Sequence, residues 1–293
     1  MPRIMPESTT DNPPQSRRRW LQFRLRTLLL IVAVLCVPLA WVAWKMDHKR
    51  HERAVIAELE RLGGEVLYDW QGKRLGETWQ HDMKPDSDEP NGPTWLRWLL
   101  GDDFFSDVLY VALVPRQRIP VGYRGAWRYD RSRKDAAPIA KDDDLRLVAT
   151  LPKLEELNLS NTDIGDVGLA HLRGLTHLRS LALVYTSITD AGMSTIKEMH
   201  RLTKLELAGT DITDSGLAHV SSLTALRELD ISDTSITEAA LGHLTKLSGL
   251  TRLGMDNTEN SREGAAELQK SLPRCAIYCH KTRSGHTSGV LLP

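Results

Sequence analysis

Along the second half of the chain, apolar residues recur in one fixed frame, Leu-x-x-Leu-x-Leu. It stands at Leu154-Leu157-Leu159, Leu178-Leu181-Leu183, Leu202-Leu205-Leu207, Leu226-Leu229-Ile231 and Leu250-Leu253-Met255, so successive frames lie 24 residues apart. The alternation at the end of each frame predicts a short strand with one buried side. Three residues on comes a threonine (Thr162, Thr186, Thr210, Thr234, Thr258), and in four units an isoleucine two further (Ile164, Ile188, Ile212, Ile236). An acid follows at Asp166, Asp190, Asp214 and Glu238, and then a helix-like stretch such as Gly216-Leu217-Ala218-His219-Val220. Each unit therefore predicts strand, turn and short helix. The acids are expected to cap the helix N-termini, where N–H groups lack partners. The threonine hydroxyls are expected to bridge adjacent turns. No single unit can bury its own leucines, so neighbours must stack into one core with parallel strands about 4.8 Å apart.

A second apolar pattern lies near the N-terminus. From Leu28 to Trp44 no residue is charged, and as a helix these positions span about 25 Å, close to the hydrocarbon thickness of a bilayer. Trp20 and Phe23 before the run, and Trp41 and Trp44 at its end, put amphipathic rings where the two interfaces would fall. Pro38 near the far end costs only a local backbone bond. A buried soluble helix and a cleaved signal peptide are the rival readings. Against cleavage, Pro38 or Trp41 stands where a small side chain is wanted, and a lipoprotein signal fails because Leu35 precedes Cys36. Arg17, Arg18, Arg19, Arg24 and Arg26 crowd the N-terminal flank, whereas Asp47 and Glu52 interrupt Lys45, Lys49, Arg50 and Arg53 on the other. The arginine excess predicts a cytoplasmic N-terminus, with the repeats beyond the membrane.

Between run and repeats, Ala54, Val55, Ile56, Ala57, Leu59 and Leu62 among charges predict an amphipathic helix ended by Gly63-Gly64. A strand at Val66-Leu67-Tyr68, a Pro/Asp/Gly-rich loop from Asp82 to Pro93 and an apolar helix face at Trp95, Leu96, Trp98, Leu99 and Leu100 follow. Val108-Leu109-Tyr110-Val111-Ala112-Leu113 is a degenerate copy of the frame. The chain thus divides into a disordered basic tail (1–19), a transmembrane helix (20–44) and a juxtamembrane helix (45–64). Beyond these lie an N-terminal cap with an irregular first repeat (65–143), repeats with a C-terminal cap (144–280) and a flexible tail (281–293). Counting in steps of 24 from Val108 leaves surplus residues at 115–140, a basic insertion. It holds Arg116, Arg118, Arg124, Arg128, Arg131, Arg133 and Lys134 with Tyr123, Trp127 and Tyr129 interleaved. That mixture suits phosphate or lipid headgroups; the alternative is a solvated loop.

Bulk composition excludes rather than nominates. With 38 basic and 38 acidic residues the net charge is zero, so nothing points to nucleic acid. Three cysteines are too few for a disulfide framework, and Cys275 and Cys279 would stand about 13 Å apart on a strand, too far for a bridge. No phosphate loop, nucleophile elbow or His-Glu-x-x-His occurs. His171, His219 and His243 share a repeat position but make a poor metal site, and the row of acids is accounted for by capping. No catalytic residue, cofactor or metal is therefore expected.

The repeats resemble the leucine-rich-repeat superfamily, most closely bacterial 24-residue repeats with the phrase Thr-Asp-x-Gly-Leu, here Thr189-Asp190-Ala191-Gly192-Met193 and Thr213-Asp214-Ser215-Gly216-Leu217. Threonine where the family has Asn or Cys places them near the cysteine-containing subtype of F-box proteins. No F-box precedes them, so a ubiquitin-ligase role does not carry over. Phe23-Arg24-Leu25-Arg26-Thr27-Leu28-Leu29-Leu30 also looks like the anchor of bacterial membrane proteins with such repeats. The resemblance implies an α/β solenoid, with parallel strands on a concave face and short helices on a convex one, behind a single transmembrane helix. It further implies a non-catalytic module that binds a protein or a cell-surface polymer; a purely structural envelope or spacer protein is the alternative. Candidate contacts on the strands are Glu156, Asn158, Lys204, Glu206, Glu228, Asp230 and Arg252, with Tyr185 at a strand end. Arg116, Arg118, Arg124, Trp127, Arg128 and Arg131 of the insertion join them. Because the strands offer only short polar groups, the insertion is expected to be the surface that meets an anionic partner.

Overall fold

The computed structural model describes residues 16–69, 73–75, 78–80, 90, 92–114, 140–258 and 262–279. All of the basic insertion except Ala140, and most of both tails, lie outside these residues. The chain forms two compact units, residues 1–49 and 50–293.

In the first unit the described chain is helical. Helix α1 (Ser16–Arg61) contains the whole apolar run and continues through Pro38 and past Trp44. Leu28, Leu29, Leu30, Val34, Val37 and Leu39 are all exposed, and the apolar window between Thr27 and Arg61 has no buried part. By length and composition it is a candidate transmembrane span.

In the second unit the end of α1 contributes Ile56 and Leu59 to a core shared with the repeats. The chain turns at Gly63 and Gly64 into β1 (Glu65–Tyr68), passes a hairpin of β2 (Lys73–Leu75) and β3 (Thr78–Gln80), and forms α2 (Thr94–Leu100) and β4 (Val108–Ala112). Strand β4 is the degenerate frame. Val108, Val111 and Leu113 are buried at the frame's apolar positions. β1 pairs with it antiparallel, capping the sheet at one end.

From β4 onward every pairing is parallel. After α3 (Leu145–Val148) come β5 (Glu156–Asn158), α4 (Asp166–His171), β6 (Ser180–Ala182), α5 (Asp190–Ile196) and β7 (Lys204–Glu206). Then follow α6 (Asp214–Val220), β8 (Glu228–Asp230), α7 (Glu238–Leu244), β9 (Arg252–Gly254), α8 (Arg262–Ser271) and β10 (Ala276–Tyr278). The sheet order is β1-β4-β5-β6-β7-β8-β9-β10. Leu157, Leu181, Leu205, Leu229 and Leu253 stand opposite one another in register, each nearly fully buried. Behind them pack Ile164, Ile188, Ile212 and Ile236 and the helix residues Leu169, Met193, Leu217 and Leu241. Burying a leucine is worth about 1.5–3 kcal/mol, so the repeated frame is the main source of stability. Cys275 and Cys279 flank β10, and neither is in a disulfide.

Two expectations are corrected. The threonine hydroxyls do not bridge repeats: Thr162, Thr186, Thr210, Thr234 and Thr258 each donate to a carbonyl three residues back in their own turn, at 2.6–2.8 Å. A buried hydroxyl takes the nearest open carbonyl, and the tight turn supplies one locally. Nor do the acids cap their own helices. That role falls to Thr189, Thr213 and Thr237, whose Oγ1 atoms accept from Ala191, Ser215 and Ala239 N–H. The aspartates reach instead into the next repeat. Asp166 accepts from the N–H and hydroxyl of Thr189 at 2.9 and 2.6 Å, Asp190 from those of Thr213, and Asp214 from those of Thr237. Asp142 begins the series at the N–H of Gly165, 2.8 Å away. This geometry explains the glycine of the repeated phrase, since a Cβ at Gly192 or Gly216 would meet the Asp166 or Asp190 carboxylate of the preceding unit.

Candidate interaction surface

Because side chains alternate along a strand, burying the frame leucines turns their neighbours to the open face of the sheet. Register stacks those neighbours into rows. One row runs Tyr110, Glu156, Ser180, Lys204, Glu228, Arg252 across β4 to β9; the next runs Glu65, Ala112, Asn158, Ala182, Glu206, Asp230, Gly254, Tyr278. Beyond the strands the backbone ladder continues, with Leu183, Leu207 and Ile231 N–H donating to Glu206, Asp230 and Gly254 carbonyls at 2.8 Å.

The strand candidates named from the sequence do share this face, with one correction. Glu156 is only 8% exposed, and Tyr110 stands at the register-paired position on β4. Burial, with Glu65 and Glu156 nearby, pushes the Tyr110 phenol up to about 12 despite a hydrogen bond with Asn158. Asn158 Oδ1 also accepts from Ser160 N–H, and Asp230 Oδ1 from Ser232 N–H, each at 3.0 Å, fixing both side chains.

Lys204 is held among acids. Its Nζ lies 2.9 Å from Glu206 Oε1. Burial works against its charge, but Glu206, Glu228 and Glu156 outweigh that effect and raise its pKa above the ordinary lysine value. Arg252 Nη1 stands 3.6 Å from Glu228 Oε2. The two rows together carry Glu65, Glu156, Glu206, Glu228 and Asp230 against two cations, Lys204 and Arg252, an acidic balance.

Tyr185 belongs to a turn ladder that sequence reasoning missed. Asn161, Tyr185, Gly209, Asp233 and Asn257 all have left-handed backbone, with φ between 53° and 68°. A Cβ at Gly209 would run into the Tyr185 ring, so the ring covers that glycine. The Tyr185 hydroxyl donates to Asp233 Oδ2 at 3.2 Å, and Asn257 Nδ2 donates to Asp233 Oδ1 at 2.9 Å. The signal was present in the sequence, since these positions also step by 24 and hold Asn, Gly or Asp in all units but one.

Arg116, Arg118, Arg124, Trp127, Arg128 and Arg131 lie outside the described residues. On the opposite side of the second unit, His219 and His243 sit half-exposed on α6 and α7, and Arg146 Nε lies 3.4 Å from His171 Nε2. Among the described residues no group of three or more His, Cys, Asp or Glu is placed to hold a metal.

A leucine-rich-repeat family model matches residues 152–212, the stretch from before β5 to after β7. No curated protein matches the chain. Solved structures that match include an internalin (inlF) from Listeria monocytogenes at 20% identity and a TM-score of 0.39, the alignment covering 48% of this chain and 38% of that one. Internalin C2 (inlC2) from the same organism matches at 20% identity and a TM-score of 0.38, covering 51% of this chain and 81% of the other. The chain therefore spans well under half the length of the first of these. The match at 152–212 lies within a run of units that repeat one strand-turn-helix geometry in register from β5 to β9, and the chain carries a leucine-rich-repeat domain.

Proposed function

We propose that this chain is a membrane-anchored, non-catalytic interaction module. The helix over 20–44 crosses the membrane once with the N-terminus in the cytoplasm, and the repeats beyond it present their open face to a protein or cell-surface polymer. The observation that carries this reading is the division of labour in the repeats. Every frame leucine is committed to the core, while the register-aligned rows between them vary freely in charge and size, which is what a recognition surface requires. The acidic balance of those rows suits a ligand with cationic groups, and their charges contribute through complementarity and on-rate more than through raw affinity. The basic insertion is a second contact surface in this proposal, suited to anionic groups.

Two measurements test it with the full chain. Membranes carrying the protein are washed with high salt and then carbonate; retention is expected, and release of full-length protein into the supernatant refutes the anchor. Vesicle-reconstituted protein is then titrated with an oligolysine peptide. Binding that weakens with salt and is lost in Glu206→Lys, Asp230→Lys protein supports the open face as the ligand surface. Equal binding by wild type and variant refutes it and favours a structural spacer.

A further inference from the structure

Among the described residues, exposed large apolar side chains fall in two places, apart from Val167. One is the apolar run of α1. The other is α2, where Trp95, Trp98 and Leu99 are 66%, 88% and 62% exposed. Their spacing of three and four places them on one side of the helix. The helix holds no acid, and its one cation, Arg97, is turned inward, donating to the Pro90 carbonyl at 2.9 Å with its Nε 3.7 Å from Asp102. Two nearly bare indoles beside a bare leucine are hard to account for on a surface in contact with water alone.

We propose that α2 is an interfacial membrane-contact element, whose Trp95, Trp98 and Leu99 insert into the headgroup boundary of the bilayer that holds the same chain. This rests on the reading of α1 as a membrane span. Three observations select lipid as the occupant. Indole is the side chain that favours the membrane–water boundary, its apolar body facing the acyl chains and its N–H the headgroups. The sequence places the same residue type at Trp41 and Trp44, where the span of α1 ends. The tether is also short: from Trp44 to Ile56, where the chain enters the core of the second unit, the backbone extends to at most about 40 Å. Helix α2 lies in that unit's N-terminal cap, joined through residues 102–107 to β4, which pairs with the strand that follows α1. A short helix that lies on the surface gains membrane affinity in proportion to the apolar area it buries, and the anchor supplies the high local lipid concentration.

The full chain is reconstituted into vesicles of zwitterionic lipid containing a lipid photoreactive near the top of its acyl chain, and adducts are mapped by mass spectrometry. Adducts are expected both within 28–44 and within 94–100. In Trp98→Glu, Leu99→Glu protein the 94–100 adducts, relative to those at 28–44 in the same sample, should fall by about tenfold while thermal unfolding of the repeats is unchanged. Adducts at 28–44 with none at 94–100 overturn the contact and leave the anchor standing. Adducts at neither segment overturn both readings. Cross-links from 94–100 to another part of the chain or to a second copy, in place of lipid, also overturn the proposal. A 94–100 yield that survives the double substitution shows labelling that does not depend on the apolar face and overturns it as well.

Discussion

Gly209 is the point where the turn ladder and the open face meet, and its replacement by asparagine separates two reasons for a glycine. Asparagine is tolerated in left-handed backbone, and Asn161 and Asn257 adopt that conformation at the equivalent positions. Conformation alone should therefore cost Gly209→Asn a few tenths of a kcal/mol. Crowding should cost more, because the new Cβ would run into the Tyr185 ring. The ring has to swing out, exposing on the order of 50 Å² of apolar surface at about 25 cal/mol per Å² and losing the solvent-exposed bond to Asp233, worth about 0.5 kcal/mol. Together these losses give a cost of about 1.5–2 kcal/mol. In a Tyr185→Asn background the clash is absent, and Gly209→Asn should be neutral within about 0.5 kcal/mol, a coupling of about 1 kcal/mol or more. Gly209→Ala should be the worst of the set in wild type, since it adds left-handed strain of about 1 kcal/mol to the same clash. Urea unfolding of the detergent-solubilised chain, followed by far-ultraviolet circular dichroism, gives all four differences. Equal cost for Gly209→Asn in both backgrounds would refute the argument that the tyrosine ring dictates the glycine.

Two further outcomes are expected. Leu205→Ala empties a fully buried frame position at the centre of the sheet and should cost about 2–5 kcal/mol in the same unfolding assay, whereas His219→Ala on the half-exposed helix side should cost under about 0.5 kcal/mol; similar losses would mean the two sides are assigned the wrong way round. Tyr110, pushed up to about 12, stays protonated in the folded chain while the unfolded chain ionises near its ordinary value of about 10. Its contribution is therefore complete below pH 10 and is lost as pH rises from 10 towards 12, and Tyr110→Phe should flatten that part of the melting-temperature profile; an unchanged slope would refute the assignment.

The leucine frame made the architecture legible because burial is periodic and leucine is used almost without exception. The degenerate frame at Val108 was readable for the same reason, and its strand lies in register with the others. What the periodicity could not resolve was the direction of polar bonds. Asp166 stands at the start of α4, where a capping carboxylate and one reaching forward to Thr189 look identical in sequence; only the packing of the next unit decides. The threonines misled in the opposite sense, since a residue repeated every 24 positions suggested a ladder, whereas each hydroxyl closes its own turn. On the open face, alternation identified Lys204, Glu206, Glu228, Asp230 and Arg252 as neighbours. It could not foresee that Glu156 is buried with Tyr110 beside it in register, because the unit that supplies Tyr110 departs from the 24-residue step.

The two polar ladders bear on how the open face can work. The aspartate–threonine bonds tie each repeat to the next at the helix starts, and the left-handed turns tie it just after the strand through backbone bonds such as Tyr185 N–H to the Ala208 carbonyl. Tied in this way, each strand fixes where its outward side chains stand, to within the strand spacing of about 4.8 Å. The rows are then free to serve chemistry, and Lys204 shows which chemistry they support. Its ammonium is retained among Glu206, Glu228 and Glu156 although burial opposes its charge. Glu206, Glu228 and Glu156 therefore favour its charged form by more than burial opposes it. In the proposed reading, acids pre-positioned by these ladders lose little entropy on binding, and the oligolysine titration of Glu206→Lys, Asp230→Lys protein tests whether their excess discriminates between cationic and anionic partners.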